Sequence, residues 1–416
     1  MDSCSQSMVR QHCRRVAAVA IEVGRSLGIA GGQLAVLEKA ALLHHSYDFG
    51  TEALARLAAE VCAARGVWEP EAAEVCPAEV AAVLTLVRQA RATGEPDART
   101  LAAIIRMSNA LDEQIEALSY EHKPYERILE ELREIGIFEG FEPELVARIE
   151  KMRSHECDGN PGARLPVQAK VAREIFQRFG SGCEWCAKEL EAVTARDPVV
   201  AGALMKVANS AVYSPQSRLA TLRQAITYIG TEAARDVVLA CAIRPLFASA
   251  GLLRHWSHSL HLAQLASAMA GQTGILEPQS AMLLGLVHDV GALAVQMVRG
   301  SEADLYQRLI EKGCPATYSE MLLFGRDHGE LGAGILEDWN FPEELVEAVR
   351  YHHQPERSGK AATALLFLAE FWSGMDEDIP SAVRIDACVR RTGVTLESLA
   401  QMRGKKHTLT ILRSVA

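Results

Sequence analysis

Apolar residues along this chain recur every three to four positions and almost nowhere on alternate ones. Residues 16–27, 34–43, 80–90, 101–118 and 143–152 each present one apolar face of helical period, and they are rich in Ala and Leu, not in β-branched or aromatic residues. The same spacing predicts helices over 167–179, 189–194, 199–208, 222–229 and 233–246. Only 408–412 hints at a strand, so the predicted fold class is all-α. Residues 154–164 crowd Gly, Pro, Asn and Asp between two helical patterns and mark a linker. Two helical domains are therefore expected, 1–153 and 165–372. The second divides into a helical front half (165–250) and a back half (251–372). A lesser break over 373–380 opens a C-terminal helical extension, 373–416.

The two halves share a pattern. With His12 placed on His258, Val16 meets Leu262, Ala17 meets Ala263, Ala20 meets Ala266, and Gly28-Ile29 meets Gly274-Ile275. After a two-residue gap, Leu42-Leu43-His44 falls on Leu286-Val287-His288. Ordered matches of this kind predict the same helical unit twice.

Composition narrows the function classes. With 49% hydrophobic and 23% charged residues, the 416-residue chain has ordinary globular composition and enough length for two cores. A net charge of −10 with dispersed Lys and Arg disfavours a nucleic-acid partner, which needs a basic face. Ten Cys without a framework spacing read as reduced thiols, and no apolar run reaches the length of a bilayer span. The short run after Arg14-Arg15 is ended by Glu22 and Arg25. A cytoplasmic protein with no membrane partner is expected. Cys183 and Cys186 have a Cys-x-x-Cys spacing but no second pair, so neither zinc nor redox chemistry follows.

The chemistry concentrates in the back half. Trp256-Ser257-His258 is followed by Gly285-Leu286-Val287-His288-Asp289-Val290-Gly291, a lone His and then a His-Asp pair closing an apolar run. His328 opens a pattern in which positions 328, 332, 335 and 339 share one helical face. His352-His353 closes the helix predicted from Pro342, in phase with Leu345 and Val349, and Glu370 lies on an apolar helix. Imidazole and carboxylate donors together suit a divalent ion such as Fe, Mn, Zn or Mg. The order supports two sets, His258, His288, Asp289 and Glu370 for one ion and His328, His352 and His353 for the other. Asp289 would bridge them, as a shared carboxylate does in two-metal hydrolytic sites. Any one of these His could equally be a core residue bonded to a carbonyl, and both readings stay open here.

Residues 165–372 resemble an HDOD domain, a relative of the HD-superfamily phosphohydrolases. The resemblance rests on Leu165-Pro166, Asp197-Pro198, Asn209-Ser210-Ala211, Ile229-Gly230, Trp256-x-His258, His288-Asp289-x-Gly291, His328-x-x-Leu331-Gly332, Trp339-x-x-Pro342 and His352-His353. It implies a bacterial signal-transduction module that binds another signalling protein or a small-molecule ligand without catalysis. The alternative is a metal-dependent phosphohydrolase acting on phosphomonoesters or phosphodiesters, with Asp289 in the catalytic centre. Residues 9–153 look like a degenerate HD domain of the HD-GYP kind, through His12, His44, residues 104–112 and Tyr125. There His45 stands where an Asp is expected and Asn109 replaces a final Asp. The loss of both carboxylates predicts no two-metal site and a structural or regulatory role.

Overall fold

The computed structural model describes residues 3–45, 77–88, 96–121, 186–196, 198–211, 213–243, 253–296, 301–339, 341–373 and 382–395, with isolated positions between 127 and 147. Among them every regular element is a helix and no strand occurs. In chain order these are α1 (Ser3–Ser26), α2 (Gly31–Leu43), α3 (Pro77–Arg88), α4 (Pro96–Glu121), α5 (Ala187–Thr194), α6 (Pro198–Ala208), α7 (Leu222–Ile229), α8 (Thr231–Ile243) and α9 (Leu253–Thr273). They continue as α10 (Pro278–Val287), α11 (Val290–Gln296), α12 (Ser301–Glu311), α13 (Ala316–Phe324), α14 (His328–Asp338), α15 (Glu343–Arg350), α16 (Ala361–Ser373) and α17 (Ala382–Thr392). The helices expected over 143–152 and 167–179, the linker 154–164 and the strand-like 408–412 lie outside the described residues. So do Tyr125, Leu165-Pro166, Cys183 and Asp197.

The chain folds as two compact units. Unit 1 comprises residues 1–156 and 299–327, and unit 2 comprises 157–298 and 328–416. Residues 299–327, which their place in the sequence assigns to the second domain, thus group with the first.

In unit 1, α1 packs on α2 and α4, and α3 covers α2 and α4. Val16, Ala20 and Val23 recur at i, i+4 and i+7 and are fully buried, as are Leu37, Ala40 and Ala41 on α2 and Ile104, Ile105 and Leu111 on α4. The later pair α12–α13 attaches through charge as well as packing. Arg308 Nε donates to Glu22 Oε2 at 3.1 Å, Lys312 Nζ donates to Glu38 Oε1 at 2.9 Å, and Arg15 lies 5.4 Å from the Tyr318 ring centre.

In unit 2, α9 packs along α10 and α16, α11 crosses α14, and α15 lies between α14 and α16. One continuous apolar core joins the front half to the back half, from Leu190 and Leu204 through Leu262 and Leu286 to Leu365. Contrary to the sequence expectation, the stretch Pro278–Gln296 meets the length and composition of a membrane span, with mean hydropathy 1.2, yet 78% of it is packed inside the protein. It is broken at His288-Asp289, where α10 ends and α11 has not begun.

Two glycines on either side of that break set how close neighbouring helices come. A methyl group at Gly285 would run into the Ala263 backbone, whose nitrogen would lie 2.6 Å away. At Gly291 it would strike the His328 carbonyl oxygen and sit 2.6 Å from Gly332 nitrogen. Hydrogen in place of Cβ therefore lets α9 and α14 reach the His288-Asp289 turn.

Candidate metal centre

Each candidate ligand of unit 2 sits at a helix end or on a helix face directed inward. His258 lies on α9, His288 is the cap residue of α10 with Asp289 next to it, His328 opens α14, and Glu370 lies on α16. The pair His352-His353 does not close α15 as its phase suggests. That helix stops at Arg350, with Tyr351 as its cap, so both rings project from the following turn, their centres 4.0 Å apart. The turn frees the two rings from helical phase and lets both face the same side.

The seven residues converge. His258 Nε2 and His288 Nε2 are 3.1 Å apart, and Glu370 Oε2 lies 3.2 Å from each of them. On the other side, His353 Nε2 and His328 Nε2 are 2.7 Å apart, with the His352 ring centre 5.3 Å from that of His328. Asp289 stands between the sets. Its Oδ2 is 3.3 Å from His288 Nε2, and its Oδ1 is 3.4 Å from His328 Nε2 and 4.0 Å from His352 Nε2. His255 escaped notice in the sequence, although it precedes His258 by three positions on the same helical face. Its Nδ1 lies 3.8 Å from Asp289 Oδ2.

Ring orientation is fixed from behind. His288 Nδ1 donates to Gly285 O at 2.8 Å and His352 Nδ1 donates to Val349 O at 2.6 Å. The proton is then on Nδ1, and Nε2 points a lone pair into the centre. His352 Nε2 is buried there with no hydrogen-bond partner. His288 Nε2 faces carboxylate oxygens of Asp289 and Glu370, acceptor against acceptor, which requires a positive charge among them. The donor set therefore fits one or two divalent ions, held by His258, His288 and Glu370 on one side and His328, His352 and His353 on the other.

Without an ion a proton takes that place. Burial opposes a charge on His288, but Asp289 and Glu370 outweigh it and hold its pKa well above the ordinary imidazole value. Burial likewise works against the Asp289 carboxylate, and the His288 charge with the His255 contact holds it well below the usual range. Glu370 is lowered against burial by His288 and His258. In the second set, burial and then the neighbouring His328 and His288 push His352 down to about 3, and burial and His352 lower His353. His288 thus carries charge beside the two carboxylates, whereas His352 and His353 present neutral imidazoles.

The front half contributes a different surface. Asn209 ends α6, donating through Nδ2 to Met205 O at 2.9 Å and Leu219 O at 3.1 Å, while its Oδ1 accepts from Leu219 N at 2.8 Å. Asn209, Ser210 and Ala211 line an open cleft of about 1060 Å³ together with Lys206 and Arg218. Gly230 caps α7 with φ of 90°, as its position after Ile229 predicts.

Residues 165–355 match the family model of the HDOD domain. This stretch is an HDOD domain. Its match includes α12 and α13, which group with unit 1, and stops short of Glu370. An HDOD domain protein of unknown function from Geobacter sulfurreducens superposes with a TM-score of 0.51 at 24% identity, covering 61% of this chain and 92% of that one. An uncharacterized protein of Treponema pallidum is 22% identical over 170 residues, 40% of this chain and 33% of its own length. Ribonuclease Y of Lawsonia intracellularis is 29% identical over 113 residues, 27% of this chain and 16% of its own length. The chain thus spans a third or less of the curated relatives it matches.

Proposed function

We propose that the protein is a cytoplasmic regulatory module of bacterial signalling whose HDOD domain holds divalent metal and acts by binding a partner protein or a small ligand, without turnover. The observation that carries this reading is the closure of the centre. His288 and His352 are fully buried and tied to backbone carbonyls, while His258, His328 and Glu370 are 5–6% exposed. Such a centre can hold an ion rigidly but offers a phosphate ester little room. The open cleft lined by Asn209, Lys206 and Arg218 is a better place for a ligand. Cys13, Cys241, Cys314 and Cys388 are buried and outside any disulfide, which suits a reducing compartment.

A metal-dependent phosphohydrolase is the second reading. It is favoured by Asp289, which turns one oxygen toward each ligand set. Bound divalent ions would supply Lewis acidity to a phosphoryl group. Asp289 and Glu370 would hold charge opposite them, and His255 would steady Asp289 from the exposed side. Metal content of the purified chain, measured beside hydrolysis of a phosphomonoester, a phosphodiester and a cyclic dinucleotide with added manganese, separates the two. The regulatory reading expects bound metal and no turnover above that of a His288→Ala, Asp289→Ala double variant. Metal-dependent turnover that disappears in that variant would replace it with the hydrolase, and a protein that takes up no metal would sink both.

A further inference from the structure

The front half of unit 2 holds its cleft in a fixed shape. Asn209 ties the end of α6 to the returning segment, its Nδ2 donating to Leu219 O and its Oδ1 accepting from Leu219 N. Gln224 Oε1 accepts from Ala220 N at 2.9 Å and Thr221 N at 3.1 Å, and Tyr228 Oη donates to Tyr213 O at 3.0 Å. Ser214 has a φ of 42°, alone among the described non-glycine residues in the left-handed region. Such a conformation persists only where its surroundings fix it. Here Ser214 N donates to Ser210 O at 2.9 Å and its Oγ donates to Ala211 O at 2.5 Å.

The acceptors around this cleft are engaged and its donors are not. The carbonyls of Met205, Ser210, Ala211 and Leu219 already accept hydrogen bonds within the protein. The Ser210 hydroxyl is buried with no partner. Lys206 and Arg218 both line the cleft, and among the described residues neither forms an ion pair, whereas the nearby Arg223 is paired with Glu191. No Asp or Glu is among the lining residues. In a chain of net charge −10, two cations on one open space without a carboxylate beside them create a local field that draws anions.

We infer that this cleft binds a phosphate-bearing small molecule, its phosphoryl group held by Lys206 and Arg218. Arg offers phosphate a planar fork of donors and Lys a compact point charge, so the two complement each other. A volume of about 1060 Å³ lies at the upper end for small-molecule sites, and a bare phosphate would leave most of it empty. Met205, Pro215 and Leu219 give an organic portion apolar surface to rest on. Gly202 keeps the α6 wall low, since a Cβ there would meet nothing within 4 Å. The inference rests on the regulatory reading in taking the cleft as the place for a ligand, and it names that ligand's class.

Calorimetric titration of the full-length protein tests this, in chelator so that no ion in the His288 centre can hold phosphate. The probes are AMP, ribose 5-phosphate, inorganic phosphate and, as the uncharged control, adenosine. At least one ester should bind with a Kd below about 1 mM at low salt and more weakly as salt rises. Inorganic phosphate should bind at least ~10-fold more weakly than that ester, and adenosine not at all. Lys206→Gln and Arg218→Gln, both at exposed positions, should each weaken the ester at least ~10-fold. Gly202→Leu should block the cleft while the helical circular dichroism and thermal midpoint hold. The site is overturned if neither ester binds, or if binding survives Gly202→Leu or the Lys206→Gln, Arg218→Gln double variant. Inorganic phosphate as tight as the ester would overturn the organic ligand, and adenosine as tight would overturn the phosphoryl contact. Failed titrations would leave the regulatory reading with a partner protein, whereas that reading itself fails on metal content and turnover.

Discussion

Asp289 reaches both ligand sets because it belongs to no helix. A carboxylate on a helix face is held to one direction, whereas the break between α10 and α11 lets its two oxygens diverge. Asp236 on α8 has no comparable cationic cluster. Burial lifts its carboxyl to about 6, against partial relief from Arg235. A folded-state value above the unfolded one means the folded chain keeps the proton longer between about pH 4 and 6, so stability falls as pH rises through that window. Asp236→Asn should therefore match the parent in thermal midpoint at pH 4 and exceed it at pH 7. An equal or lower midpoint at pH 7 would show that Arg235 already compensates the charge. At this scale the sequence is most informative where residue type is rare. His258, His288-Asp289, His328 and His352-His353 stand out against Ala-rich helices, and their phase with apolar neighbours points inward. His255 shares the helical face of His258, so its spacing alone could have pointed to it; what the sequence does not show is its contact with Asp289 at the partly exposed edge of the centre.

Helix positions follow the apolar period closely, since residues such as Val16, Leu37, Ile104 and Leu286 are buried on the faces their spacing defines. What the period does not carry is distance between helices. Gly285 and Gly291 look like breaks in a helical pattern, and only the packed structure shows Ala263 and His328 filling the room they leave. Gly291→Ala should be costly, because the obstacle is backbone: overpacking commonly costs 1–3 kcal/mol, and this site should reach about 3 kcal/mol or more. Chemical denaturation of the variant checks that figure. The same protein should lose metal from the unit 2 centre, since α14 cannot bring His328 to Asp289 without that contact. Retained stability with full metal content would show that α14 shifts freely.

Unit boundaries were legible only in part. The pattern over 301–324 shows apolar faces, but nothing local says that Arg308 and Lys312 belong with Glu22 and Glu38, which precede them by 286 and 274 positions. Complementarity across such separations appears only in three dimensions. Expressed without residues 1–156, the remainder should therefore self-associate and bind a hydrophobic dye, because α12 and α13 bury Leu309, Leu322, Leu323 and Phe324 and would lack the unit they group with. Replacing 299–327 with a short flexible linker in the same truncated chain should restore a monomer on size-exclusion chromatography. A truncated chain that is monomeric and dye-free with 299–327 in place would contradict this.

The interrupted course of unit 1 also bears on how the chain is made. Its first part is finished at residue 156 and its last part at 327, 171 residues later. At about 5–20 residues per second of synthesis, that gap is roughly 10–35 s. Throughout it Glu22, Glu38 and Arg15 wait without α12 and α13, while α5 to α11 of the other unit emerge. The usual order, in which the leading domain is complete before the next begins, is not open to this protein. Its N-terminal unit must stay soluble and incomplete on the ribosome, and a chaperone holding nascent chains would find its substrate there.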